Sequence, residues 1–257
     1  MPDGDITTDG LNLSNKIGRA KVVAKEDLVI SGTEAFNSTF TQVDPSITIN
    51  WQFKNSDFVF KGQTICLLLG PLPSLLKAER VALNFLGRLS GIATLTRCYV
   101  NQAKNHKTKI LDTRKTTPNL RALEKKAVVD GGGMNHRMSL SDRILIKENH
   151  IRAAGGIKKS IATLRDLGHK NIEIEVRNLA EAQEAIEGNA DRLLLDNMSL
   201  EEMTAVLKIT PASMQTEASG NMTLERISQV AEVGVDFISV GAITHSAPCA
   251  DVSLLFE

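Results

Sequence analysis

The sequence predicts an α/β protein: a parallel barrel of reduced strand number, preceded by a small and largely antiparallel sheet layer. Three observations carry that reading. From Lys107 onward, short apolar runs alternate with polar loops and helical stretches, the rhythm of right-handed βαβ units. The first ~75 residues alternate with period two instead. No G-x-G-x-x-G and no G-x-x-x-x-G-K-[ST] follows any run, so the dinucleotide and P-loop forms of a doubly wound sheet lose their main support.

Taken in order, residues 19–25, 46–53 and 64–69 mix β-branched and apolar residues with polar ones, as strands do. Pro45, Gly62 and the Gly70-Pro71-Leu72-Pro73 cluster punctuate them. Between Leu75 and Gln102 apolar residues fall at helical spacing, among them Val81, Leu83, Phe85, Leu86 and Leu89. Gly87 and Gly91 interrupt that pattern, which leaves two helices or one broken helix open. Six apolar runs follow, at residues 109–111, 143–146, 171–176, 192–195, 214–218 and 237–240. Helical patterns at 179–187, 200–208 and 224–233 separate the later ones.

Composition narrows the class of protein. With 257 residues and 42% hydrophobic content, the chain can bury a sizeable core. No apolar run reaches the ~18–20 residues of a membrane span, and the first residues lack the basic and apolar regions of a signal peptide. Cys66, Cys98 and Cys249 are odd in number and far apart, which suits reduced thiols and a cytoplasmic location. The sequons at Asn12, Asn37, Asn197 and Asn221 are then chance matches. The 30 basic and 30 acidic residues cancel, which argues against a globally basic nucleic-acid binder. Their distribution is uneven: residues 104–152 hold 12 Lys/Arg against 5 Asp/Glu, while residues 173–202 hold 2 against 9.

Each run ends in reactive residue types, and in parallel barrels the loops at those ends build the active site. Thr113, Arg114 and Lys115 follow the first run; two cations there suit a dianion, with a solvated turn as the alternative. Gly131-Gly132-Gly133 lets backbone approach a ligand and leads to His136 and Arg137. Lys147 ends the second run. Glu173 and Glu175 share one side of the third, so at least one of them, with Asp196 from the next run, offers oxygens to ribose hydroxyls or Mg2+. Ser219-Gly220 and Gly241-Ala242 present unhindered N–H groups to a phosphate. The histidines and cysteines lack zinc-ligand spacing. These residues describe a barrel enzyme with a doubly anionic substrate, a ribose-phosphate partner and Mg2+, without naming the reaction.

Longer blocks then match one pattern: Glu79-Arg80 through Asn84 to Ser90-Gly91, Asp112-Thr-Arg-Lys-Thr-Thr-Pro118, Gly131-Gly-Gly-Met-Asn-His136-Arg137 and Ile146-Lys-Glu-Asn-His150. Leu195-Asp-Asn-Met198, Glu217-Ala-Ser-Gly220 and Ser239-Val-Gly-Ala-Ile-Thr-His245 continue it. Over nearly its whole length the chain resembles the quinolinate phosphoribosyltransferase family, the decarboxylating nicotinate-nucleotide pyrophosphorylases of NAD biosynthesis. The resemblance implies an incomplete α/β barrel of six or seven strands over residues 81–247. It also implies an N-terminal α+β sandwich-like domain of residues 1–80 to which residues 248–257 return. It implies transfer of phosphoribosyl from 5-phosphoribosyl 1-pyrophosphate to quinolinate with Mg2+, yielding nicotinate mononucleotide, pyrophosphate and CO2.

In family terms Arg114, His136, Arg137 and Lys147 cradle carboxylates and phosphates, and Lys115 lies near the reacting centre. Glu175 and Asp196 serve the ribose hydroxyls and the Mg2+-pyrophosphate. Ser219, Gly220, Asn221, Ser239, Gly241 and His245 hold the 5-phosphate region, with Thr113 beside the substrate. Arg80 reaches the neighbouring protomer's site, which makes a homodimer the smallest working unit. The chain departs from the family pattern at Arg177, Asn221 and Ser141, and it begins almost at Gly4-Asp5-Ile6, where members usually carry a preceding helix. Rival readings are a same-fold relative with another acid or no activity, a lyase using Lys147 as a Schiff base, and an RNA-binding stripe over residues 104–152. Scarce aromatics (4%) weaken the last.

Overall fold

Period-two alternation builds an antiparallel sheet in the first part of the chain. The computed structural model describes residues 4–11, 13 and 15–257, so the Asn12 sequon lies outside the described residues. The chain divides into two compact units: Met1–Arg97 with Ala122–Gly132 and Ser246–Glu257, and Cys98–Arg121 with Gly133–His245.

In the first unit, α1 (Ile6–Gly10) is capped by Asp5, whose carboxylate accepts from the Thr7 and Thr8 N–H groups. β1 (Ile17–Ala24) alternates exposed and buried residues. β2 (Leu28–Val29), α2 (Thr33–Val43), β3 (Thr48–Trp51), β4 (Phe58–Val59) and β5 (Thr64–Pro71) follow. The C-terminal strand Val252–Phe256 pairs with β1, giving the antiparallel order C-terminal strand, β1, β5, β3; β2 and β4 form a separate pair. The α2 helix is absent from the sequence expectations. It forms because Phe36 and Phe40, one turn apart, are both fully buried, each worth roughly 1.5–3 kcal/mol. Phe36 meets Trp51 edge-on at 5.3 Å, and the Trp51 indole N–H donates to Asn37 Oδ1 at 2.9 Å.

The two helices left open by Gly87 and Gly91 are one: α3 runs unbroken over Leu72–Ala103. The glycines serve close packing. A Cβ at Gly87 would lie 2.8 Å from Cys249 Sγ and 2.9 Å from the Ala250 carbonyl, and one at Gly91 would collide with the Pro248 carbonyl oxygen. The Ala250 N–H donates to the Gly87 carbonyl at 2.9 Å in that gap. The division between units falls within this helix, not at residue 80, because Leu75, Ala78, Ala82, Leu83 and Leu86 belong to the first unit's core. Most of α4 (Arg121–Asp130) joins it too, through Arg88 to the buried Glu124 at 2.9 Å and Ser31 Oγ to Asp130 at 2.7 Å.

The second unit holds β6 (Lys109–Leu111), β7 (Leu145–Ile146), α5 (Glu148–Ala154), α6 (Ile157–Asp166), β8 (Glu173–Val176) and α7 (Leu179–Glu187). It continues with β9 (Arg192–Asp196), α8 (Leu200–Ile209), β10 (Gln215–Ser219), α9 (Leu224–Val233), β11 (Phe237–Ser239) and α10 (Ala242–His245). All six strands pair in parallel, in the order β6-β11-β10-β9-β8-β7. The last strand therefore pairs with the first. Met134 adds a parallel bridge to Leu111 on the free side of β6, which supplies a seventh position. Among the described residues no ladder joins that position to β7, so the barrel stays incomplete. Asn178 and Ser199 cap α7 and α8, the latter in a capping box with Glu202, so the polar residues after β8 and β9 start the next helix. Among the described residues, no helix is long and apolar enough to cross a membrane.

Candidate active site

Parallel pairing brings all six strand ends to one side, and a cavity of about 1170 Å³ opens there. Thr113, Arg114, Lys115, His136, Arg137, Lys147, Glu175, Asp196, Ser219, Gly220, Asn221, Ser239, Gly241 and His245 all line it. Arg80 does not; it is exposed on α3 in the first unit. A smaller concavity of about 660 Å³ lies at the opposite strand ends, between Arg165, Asn171 and Asp191. Its main charges are spent on each other, since Arg165 pairs with Asp191.

Backbone contacts fix the cationic rim. The Arg121 guanidinium donates to Thr116 Oγ1 at 2.9 Å, to the Arg114 carbonyl at 3.2 Å and to the Met138 carbonyl at 3.2 Å, joining the loops that carry Arg114 and Arg137. Thr244 Oγ1 donates to the Lys115 carbonyl at 2.8 Å. A Cβ at Gly241 would lie 3.2 Å from both Lys115 Cδ and the His245 ring, so glycine lets those two side chains converge over the backbone. Arg137 is buried and donates to the Arg143 carbonyl at 3.1 Å. Burial, and then the nearby Arg114 guanidinium, hold Arg137 below the usual arginine range. An anionic ligand between these two cations relieves that repulsion.

The acidic side differs. Glu175 and Asp196 come from adjoining strands, with Lys147 Nζ 2.9 Å from Glu175 Oε2. Asn197 donates to Asp196 at 2.9 Å and accepts from the Asn221 amide at 3.3 Å. Both asparagines adopt positive φ (56° and 50°), and asparagine is the side chain that best tolerates that region. This explains how Asn221 stands where the family pattern has glycine.

Beneath the rim the structure buries Glu173, which the sequence offered to ribose or Mg2+, together with Glu217, to which it gave no role. Glu217 on β10 is 0% exposed and Glu173 on β8 is 1% exposed, with His136 over both. His136 Nε2 is 3.4 Å from Glu173 Oε2 and 3.5 Å from Glu217 Oε1. Arg192 reaches Glu217 Oε2 at 3.1 Å and stacks 4.1 Å over the Phe237 ring. The Ser239 hydroxyl, expected near phosphate, donates to Glu217. Tyr99 and His150 also line the cavity; Tyr99 OH donates to the Met222 carbonyl at 3.2 Å beside the Gly220 turn, and His150 accepts the Lys147 N–H at 3.0 Å. His150 was visible as a polar strand end, whereas nothing in the helical pattern marked Tyr99.

A partly open α/β barrel that gathers cations and paired carboxylates at the carboxyl ends of its strands is the scaffold of an enzyme for anionic substrates. Comparison with known proteins sharpens that class. The family models described as quinolinate phosphoribosyl transferase N-terminal and C-terminal domains match residues 5–90 and 92–255. The chain belongs to the quinolinate phosphoribosyltransferase family. A relative in Synechocystis, described as a probable nicotinate-nucleotide pyrophosphorylase (carboxylating), is 44% identical over 256 residues, covering 98% of this chain and 86% of that one. The solved nicotinate-nucleotide pyrophosphorylase of Francisella tularensis superposes with a TM-score of 0.95 at 42% identity, covering 99% and 90% of the two chains. That of Ehrlichia chaffeensis gives 0.96 at 36% identity, covering 100% and 93%.

Proposed function

We infer that the chain transfers the phosphoribosyl group of 5-phosphoribosyl 1-pyrophosphate to quinolinate and decarboxylates the product, giving nicotinate mononucleotide, pyrophosphate and CO2 for NAD biosynthesis. One observation carries this beyond family membership: Arg114, Lys115, Arg137 and Lys147 line a single cavity together with Glu175 and Asp196. Two ring carboxylates and a sugar pyrophosphate need that many fixed cations, and an oxocarbenium-like ribose needs carboxylates nearby.

As the bond from ribose to pyrophosphate lengthens, positive charge grows on the sugar and negative charge on the leaving group. Cations already held in place stabilise that change without reorganising. Arg114 and Arg137 present planar forks to the ring carboxylates, Lys115 and Lys147 face the phosphates, and Glu175 and Asp196 receive the ribose hydroxyls. Gly220 and Gly241 bring N–H groups to the 5-phosphate. Once the ring nitrogen is ribosylated, the pyridinium takes up the electron pair released as CO2 departs. Glu175 and Asp196 would hold Mg2+ through hard oxygen donors, and the ion would supply charge neutralisation for the pyrophosphate. Lys147 is held in an ion pair, not in the apolar pocket that a Schiff-base lysine needs. The test is direct: quinolinate, 5-phosphoribosyl 1-pyrophosphate and Mg2+ should yield nicotinate mononucleotide and CO2 in equal amounts. Turnover of another pyridine acid but not of quinolinate would transfer the assignment to a same-fold relative.

The reading includes a homodimer in the cytoplasm. Support comes from the exposed Arg80 and from one sheet face of the first unit, where Ile17, Leu67, Leu69 and Leu255 are 40–68% exposed. The three cysteines are free. Arg80→Ala and Lys115→Ala are each expected to be nearly inactive alone. Mixed and reassorted, they should regain on the order of a quarter of normal activity, because half of the dimers are mixed and each mixed dimer has one intact site. No recovery on mixing would refute a site shared between protomers.

A further inference from the structure

The two loops at the ribose and 5-phosphate end of the cavity are held from outside it. Asn197-Met198-Ser199 follows β9, and Gly220-Asn221-Met222 follows β10. Asn197, Gly220 and Asn221 all adopt positive φ, at 56°, 94° and 50°. Backbone of that kind persists only where its surroundings hold it. Part of the hold is mutual. The Asn197 N–H donates to the Ser219 carbonyl at 2.9 Å, and a Cβ at Gly220 would collide with Asn197 Oδ1. Through its side-chain amide Asn197 also reaches Asp196 and Asn221.

The rest of the hold comes from Arg226. It stands in the first turn of α9, three residues after the Thr223 cap. A cation there opposes the helix macrodipole, whose positive end lies at that terminus, so local physics disfavours it. A tertiary contact explains its place. Arg226 Nη2 donates to the Met198 carbonyl at 2.6 Å, and Nη1 donates to the Gly220 carbonyl at 3.4 Å. One planar fork therefore spans both loops, as the Arg121 fork spans the two loops of the cationic rim. Arg226 is half-buried, and residues 221–225 line the cavity while Arg226 itself does not. It touches the loops and not the space that a ligand fills.

We propose that Arg226 is a positioning residue for the phosphoribosyl donor: it locks the β9 and β10 loops together, so that Asp196 and the Gly220 N–H meet the ribose and its 5-phosphate at once. The identity of the donor rests on the transferase reading; the clamp does not. Without the fork, both loops must be ordered when the donor binds, and affinity for it falls. Arg114 and Arg137 keep their own supports, so the acid is held as before.

The experiment compares wild type, Arg226→Gln and Arg226→Lys by steady-state kinetics and by hydrogen exchange read with mass spectrometry. In Arg226→Gln, KM for 5-phosphoribosyl 1-pyrophosphate should rise about tenfold, the scale of one lost charge-assisted hydrogen bond, with KM for quinolinate changed by no more than about twofold. Arg226→Lys keeps the charge but reaches one carbonyl at a time, and should fall between wild type and the Gln variant. Amide exchange at residues 197–199 and 220–223 should quicken about tenfold in Arg226→Gln, while residues 193–195 of β9 exchange as in wild type. Both KM values rising by the same factor, or faster exchange throughout the unit, would mean a general loss of stability and overturn the proposal. An unchanged KM for the donor, or unchanged exchange in the two loops, would overturn it as well. If wild type makes no nicotinate mononucleotide while the loops still loosen in Arg226→Gln, the transferase reading fails and the clamp stands.

Discussion

Alanine at Lys115 or at Arg137 is expected to lower turnover at least ~100-fold, the scale of removing one preorganised electrostatic stabiliser. The reason lies in geometry. Lys115 is exposed into the cavity, with its backbone held by Thr244 and its stem against Gly241. Arg137 is buried and tied to the Arg143 carbonyl, so it delivers charge without first being ordered. Arg137→Lys should recover part of the loss, since it keeps the charge but not the planar fork. Single-turnover and steady-state assays, with melting curves as a folding control, separate these outcomes. Near-normal kinetics in either alanine variant would remove that residue from the mechanism.

The largest effect on stability is expected at Gly91. An added methyl there meets the Pro248 carbonyl oxygen, which is backbone and cannot swing aside. Gly91→Ala should cost about 3 kcal/mol or more through overpacking, lowering the melting temperature of the first unit by roughly 10 °C. Gly10→Ala is the matched control: it ends α1 with nothing within 4 Å of an added Cβ, and should change stability by no more than ~1 kcal/mol. Equal melting of the two variants would mean that the Pro248–Ala250 segment shifts freely, contrary to the close packing described for α3.

Much of the barrel was legible because its periodicity is local. Helices α7 and α9 fall on the residues where apolar spacing put them, and each strand run finds its strand, although β7 shrinks to Leu145–Ile146. Two features were not legible. The α2 helix depends on burying Phe36 and Phe40 against Trp51, a contact with another element that no local window contains. Gly87 and Gly91 read as helix breakers, because sequence reports their propensity and not the carbonyl packed against them.

The candidate site divides in the same way. From 12 basic residues in 104–152, the strand-end rule picked out Arg114, Lys115 and Lys147, and the glycine-rich loop pointed to Arg137; all four share the cavity. Local charge could not reveal that Arg121 clamps the two loops, or that Lys125 is a buried residue of the first unit. Nor could it separate Glu173 from Glu175. Both lie on one side of β8, yet one is buried under His136 and the other faces Lys147.

Sequence alone determined the family, the parallel architecture and which residue types stand at the strand ends, because those depend on local order along the chain. The tertiary structure alone decided which carboxylates are buried and which cations stand beside them. Charge in a protein is governed by solvent exposure and by neighbours brought together from distant strands, and neither is written in any short stretch of residues.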